Sequence, residues 1–63
     1  MKYVVCINDN SKSLTDGKVY VAMESMYPNI SEYFVSDDSL KQHWYSKSFF
    51  REATEEEIVK YFN

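Results

Sequence analysis

Cys6 is the only cysteine in a chain of 63 residues, so no internal disulfide can staple the fold. A domain this small buries only about 60% of the surface its unfolded chain exposes, and its stability is marginal. Most large apolar side chains must therefore be committed to packing. The aromatic share, 17% in six Tyr, four Phe and one Trp, supplies the needed area with few rotatable bonds. A disordered chain is poor in such residues, and one Gly and one Pro exclude collagen-like and low-complexity readings. No apolar run approaches the roughly 20 residues that span a bilayer. The first apolar stretch ends at Asn8-Asp9-Asn10, too short for a signal peptide. A lone thiol fits a reducing compartment. The expectation is one domain over residues 1–63, cytoplasmic in a bacterial host cell, with no membrane partner.

Net charge is −3. Residues 1–23 carry three Lys against two Asp, and the excess acid lies beyond them, in Glu55-Glu56-Glu57 above all. Nonspecific phosphate binding thus lacks its usual basic footprint. The balance favours a protein partner, one with a basic surface included.

The residue pattern predicts about five short strands and a terminal helix. Residues 2–8 are β-branched and aromatic, and Asn8-Asp9-Asn10-Ser11-Lys12-Ser13 follows as a loop. Leu14-Thr15-Asp16-Gly17 reads as a tight turn with Gly17 at positive φ. Lys18 to Glu24 alternates as a second strand, and Tyr27-Pro28-Asn29 breaks the pattern. Glu32 to Ser36 is the third strand, ended by the Asp37-Asp38-Ser39 turn; Lys41 to Tyr45 is the fourth and Arg51 to Ala53 a short fifth. Residues 54–62 switch to helical period. Thr54-Glu55-Glu56-Glu57 is a capping box, its acids suit the positive end of the helix dipole, and Ile58 and Phe62 form an apolar stripe. The fold class expected is mainly β, a small and strongly curved antiparallel barrel with a short C-terminal helix.

Three segments resemble the small SH3-like barrel proteins of phages and prophages. Leu14-Thr15-Asp16-Gly17-Lys18-Val19-Tyr20-Val21 is similar to that family's Leu-Thr-x-Gly-Lys-x-Tyr-x-Val segment. Tyr33-Phe34-Val35-Ser36-Asp37-Asp38-Ser39 resembles its third strand and acidic turn, and Trp44-Tyr45-Ser46-Lys47-Ser48-Phe49 its Tyr-Pro-Lys-Ser-x-Phe close. Cys6 to Asn10 fits the first strand. Ser46 stands where the family usually has Pro, and Ser39-Leu40 where it has Gly, which implies a longer or looser third hairpin. The resemblance implies the fold and says little of function, because its motifs are turn residues and core aromatics.

Catalytic chemistry has few carriers. A Cys6–His43 pair would need hydrogen-bonding reach and an electropositive setting. Cys6 lies between Val5 and Ile7, where a buried inert thiol is ordinary, and His43 reads equally as a strand-edge imidazole. One Cys and one His do not make a structural zinc site without two carboxylates. Asn8-Asp9-Asn10-Ser11-Lys12 begins like a calcium loop, but Lys12 falls at a ligand position and no Gly follows. Asp37-Asp38 reads as a turn bonding local amides. Asn29-Ile30-Ser31 matches a glycosylation sequon that a chain lacking a leader would not use. One Gly excludes a phosphate loop. The expectation is a non-enzyme with no catalytic residue, no cofactor and no metal.

What remains is recognition. Tyr20, Tyr27, Tyr33, Phe34, Trp44, Tyr45, Phe49 and Phe50 outnumber what one face of so small a sheet hides. With Tyr20 inward, as the resemblance implies, Val19, Val21 and Met23 form an outward apolar strip beside Tyr3, Val5 and Ile7, either open for interaction or covered by the helix. Trp44-Tyr45 has the composition of an SH3-type groove for extended peptides. Val19, Val21, Met23, Trp44 and Tyr45 are therefore the partner-binding candidates. The function expected is a small protein-binding module that modulates or inhibits a host or phage protein, a nucleic-acid enzyme being one form. The alternatives are a nucleic-acid-binding module, which needs Lys12, Lys18, Lys41 and Lys47 on one face beside Trp44 or Tyr45, and a structural accessory that acts as a homo-oligomer.

Overall fold

Alternation of apolar and polar residues on a chain that must build one core makes strands whose inward residues stack. In the computed structural model, which describes residues 1–8 and 12–63, five strands form one antiparallel sheet. They are β1 (Lys2–Cys6), β2 (Val19–Glu24), β3 (Glu32–Ser36), β4 (Gln42–Ser46) and β5 (Phe50–Glu52). A single-turn 3-10 helix, Lys47–Phe49, links β4 to β5, and α1 (Glu55–Tyr61) closes the chain. The spatial order is β4-β3-β2-β1-β5. Observed strand ends differ from the sequence reading by one or two residues. Within the loop after β1, Asp9-Asn10-Ser11 of the calcium-like stretch lie outside the described residues.

One face of the sheet is the core. Val4, Cys6, Leu14, Tyr20, Ala22, Tyr33, Val35 and Phe50 are buried together, with Tyr45 and Phe49 packed against them. Phe50 of β5 stacks edge-on against Tyr20, Tyr33 and Tyr45, at ring separations of 6.3, 6.0 and 6.3 Å. Leu14 belongs to this core rather than to the turn assigned to it, because the loop before β2 folds back over the sheet. Gly17 at φ 84° makes that return possible at no steric cost, and its amide donates to the Cys6 carbonyl at 2.8 Å.

The hairpin between β3 and β4 solves the missing-glycine problem differently. Leu40 takes φ 65° itself, a left-handed conformation that costs a branched residue about 1 kcal/mol. Its side chain is fully in solvent.

Helix α1 begins as expected. Thr54 Oγ1 accepts from the Glu57 amide at 3.2 Å, and Glu57 Oε1 accepts from the Thr54 amide at 2.8 Å. Arg51 on β5 donates both guanidinium nitrogens to Glu57, at 2.8 and 2.7 Å, which clamps the helix start to the sheet. That bidentate pairing, with the Thr54 amide, pulls the Glu57 carboxyl down to about 2. No residue of α1 is buried, so the helix is a light cover.

Candidate functional site

The face of the sheet opposite the core is where the chain keeps apolar area uncommitted. Residues alternate along each strand, so burial of Tyr20 and Ala22 sends Val19, Val21 and Met23 outward. Burial of Tyr33 and Val35 sends Phe34 outward. On β4, Trp44 takes the outer face, while His43 and Tyr45 take the other. The register then aligns them: Met23 opposes Phe34, and Phe34 opposes Trp44. The Phe34 and Trp44 rings lie 5.0 Å apart. Met23 and Trp44 are 51% and 49% exposed, so this row is an open apolar strip. Its outer-face neighbours on β3 and β4 are Glu32, Ser36, Gln42 and Ser46, which leaves one carboxylate at the rim.

Helix α1 covers the other half of this face. Tyr3 meets Tyr61 and Phe62 at ring separations of 5.8 and 5.5 Å. Val5 is 1% exposed although it faces away from the core cluster. Val19 and Val21 are half-buried and line two open clefts between α1 and the sheet. The first, about 410 Å³, is bounded by Gly17, Lys18, Val19 and Tyr61 with Glu57 and Lys60. The second, about 290 Å³, continues past Val21 to Ser36 and Leu40. The two readings of the strip are thus both realised, each on its own half: covered at Val5 and Tyr3, open at Met23.

Trp44 and Tyr45 do not share a groove. Adjacent strand residues point to opposite faces, and Tyr45 turns inward to donate its hydroxyl to Asp37 Oδ2 at 2.6 Å. Asp37 is 4% exposed and organises the β3–β4 turn. It accepts from the Ser39 amide at 2.9 Å, from the Ser39 hydroxyl, and from His43 Nδ1 at 2.8 Å. The Ser39 and Tyr45 hydroxyls outweigh the cost of burial and hold this carboxyl well below the usual range, so with it ionised His43 is the donor. The expected local amide bond is present here, whereas Asp38 reaches across the molecule instead. It takes the Lys18 ammonium and the Thr15 hydroxyl at 2.7 Å and the Tyr20 hydroxyl at 2.9 Å. Lys18, foremost, lowers its carboxyl. Asp37 thereby ties the β3–β4 turn together, and Asp38 ties that turn to the loop before β2.

The other sequence candidates are dispersed. Cys6 is buried, its thiol donating to the Asn8 carbonyl at 2.9 Å, and His43 faces Asp37. Lys18 is taken by Asp38, and Lys47 sits 5.2 Å over the Tyr33 ring, on the face away from Trp44. Among the described residues no three His, Cys, Asp or Glu side chains are grouped to hold a metal ion. No described helix is long and apolar enough to cross a membrane. Phe34, absent from the residues chosen on sequence, is the centre of the strip. Its signal was present in the alternation of β3, once Tyr33 and Val35 are taken as core.

Comparison with protein-family models, with curated proteins and with solved structures finds no match for this chain.

Proposed function

We propose that this chain is a small, non-enzymatic protein-binding module that docks a partner protein on the Met23–Phe34–Trp44 strip. The observation that carries the reading is this uncharged row of three large side chains, left open where α1 stops. A solvated apolar row that the fold could cover and does not is a common mark of an interaction surface. Trp in particular is enriched at the centre of such surfaces.

We read the architecture as an SH3-like barrel of the phage and prophage type. The strand order supports it, and so does the reach of Phe50. Strands β3 and β5 are separated by β2 and β1 in the sheet, yet the Phe50 ring reaches the Tyr33 ring. That contact supports a sheet curved toward closure. A bacterial host cytoplasm is the setting that goes with this reading. Modulation or inhibition of a host or phage protein is its role, and a nucleic-acid enzyme with a basic groove is one target class, with Glu55 and Glu56 at the exposed start of α1 facing that groove.

The test is affinity capture from bacterial lysate with wild type and Met23→Lys side by side, read by mass spectrometry. The reading expects a partner retained by the wild type and lost at least tenfold by the variant, with both showing the same thermal unfolding. Equal capture by the two proteins, or none by either, would remove the strip from the account.

A further inference from the structure

The two edges of the sheet are built differently, and the difference identifies a second interaction surface. An edge strand presents unpaired backbone groups and is a template for another strand unless shortened, charged or bulged. The β5 edge is guarded: it has three residues, and two of them are Arg51 and Glu52. The β4 edge has five residues, Gln42-His43-Trp44-Tyr45-Ser46, with no Lys, Arg, Asp, Glu or Pro among them. No described strand lies beyond it.

The register says which groups are free. The Lys47 amide donates to the Ser31 carbonyl at 2.9 Å and the Asp37 amide to the Lys41 carbonyl at 3.0 Å. Hydrogen-bonded pairs alternate along an antiparallel ladder, so the odd residues of β4 bond β3. Gln42 and Trp44 therefore aim their N–H and C=O outward, and Ser46 its N–H, its carbonyl being the acceptor that opens the 3-10 helix. These three positions are symmetric about Trp44.

We propose that two copies of the chain pair antiparallel through their β4 edges, about a two-fold axis at Trp44. Trp44 then opposes Trp44 of the second copy, and Gln42 opposes its Ser46, which gives about four inter-chain hydrogen bonds. The pairing opposes no like charges within the strands. It also needs no second sequence, since the outward groups are their own complement under the two-fold rotation. The axis stands perpendicular to the sheet, so both outer strips face the same way. The row Met23–Phe34–Trp44 runs on into Trp44–Phe34–Met23 of the second copy. This surface is a backbone edge and stands apart from the docking role of the strip's side chains. Five residues a side bury less than the roughly 1,600 Å² of a standard interface, so association is expected only at high concentration.

Ser46 offers a clean probe. Its φ of −57° and ψ of 137° already fit proline, and its N–H makes no bond to β3. Ser46→Pro thus removes an outward donor and leaves the ladder intact, as does Gln42→Pro at the other end. The measurement is molar mass by light scattering between about 10 µM and 1 mM, a range suited to an interface of this size. Wild type and Met23→Lys are expected to double in mass across that range. Ser46→Pro, which also gives up the Ser46 hydroxyl's bond from the Ser48 amide, and Gln42→Pro are expected to stay at the monomer mass with the cooperative unfolding transition kept. Should either proline variant fail to fold, amide exchange in the wild type decides: the Trp44 and Ser46 amides slow at least tenfold at the higher concentration. A wild type monomeric throughout, folded proline variants that dimerise as the wild type does, loss of the dimer in Met23→Lys alone, or exchange independent of concentration would each overturn the pairing.

Discussion

The two faces of the sheet use the same kinds of residue to different ends. On the inner face Phe50 meets Tyr20 and Tyr33 edge to face, these three rings are buried, and the hydroxyls of Tyr20 and Tyr45 find carboxylates. On the outer face Phe34 and Trp44 also meet, at 5.0 Å, but Trp44 remains half in water and its N–H has no partner among the described residues. A chain with no covalent staple concentrates its stability where several strands converge. The outer face needs only enough cover to protect Val5, and α1 supplies it with an unburied helix clamped by Arg51. The aromatic pair beyond the helix is therefore available for work.

The largest expected contrast is between matched aromatics. Phe50→Ala should cost about 3–5 kcal/mol, enough to abolish the cooperative unfolding transition of a marginal domain, as followed by circular dichroism.

Acid comes next. Asp37, Asp38 and Glu57 all have depressed carboxyl pKa values in the folded state. Their contribution is complete above the ordinary carboxylate range and is lost as pH falls through the folded values. The unfolding temperature should hold near neutrality and fall between about pH 5 and pH 2. Asp37→Asn should lower it at pH 7 and flatten its acid dependence, and a curve as steep as the wild type's would show that this turn is not the acid-sensitive lock.

Smaller effects sharpen the contrast on the covered half of the outer face. Thr54→Ala should cost about 1 kcal/mol and should speed amide exchange in α1 more than in β3. Leu40→Gly relieves the left-handed strain but loosens the unfolded chain, a net gain of about 0.5 kcal/mol, read as a slightly higher denaturant midpoint.

Local chemistry was the legible part. Gly17, the alternation of β2 and β3, and the Thr54–Glu57 box are each set by residues a few positions apart, and all three stand in the structure. The links that span the chain were not legible. Asp38 reaches Thr15 and Tyr20 from 23 and 18 residues away, and no local pattern announces such a contact. Leu14 sits beside turn formers that mask its place in the core. A Trp44–Tyr45 groove conflicts with the two-residue period that sends them to opposite faces, whereas the row Met23, Phe34 and Trp44 depends on a register that only the pairing of three strands defines.

The most direct measurement is thermal unfolding of a Met23→Ser/Trp44→Ser double variant beside the wild type. The outer strip, if free of folding duty, should cost about 1 kcal/mol at most, a shift of about 4–8 °C in a domain of this size, with the cooperative transition kept. A double variant that loses its transition as Phe50→Ala does would mean that both faces hold the fold together, leaving no surface to spare for a partner.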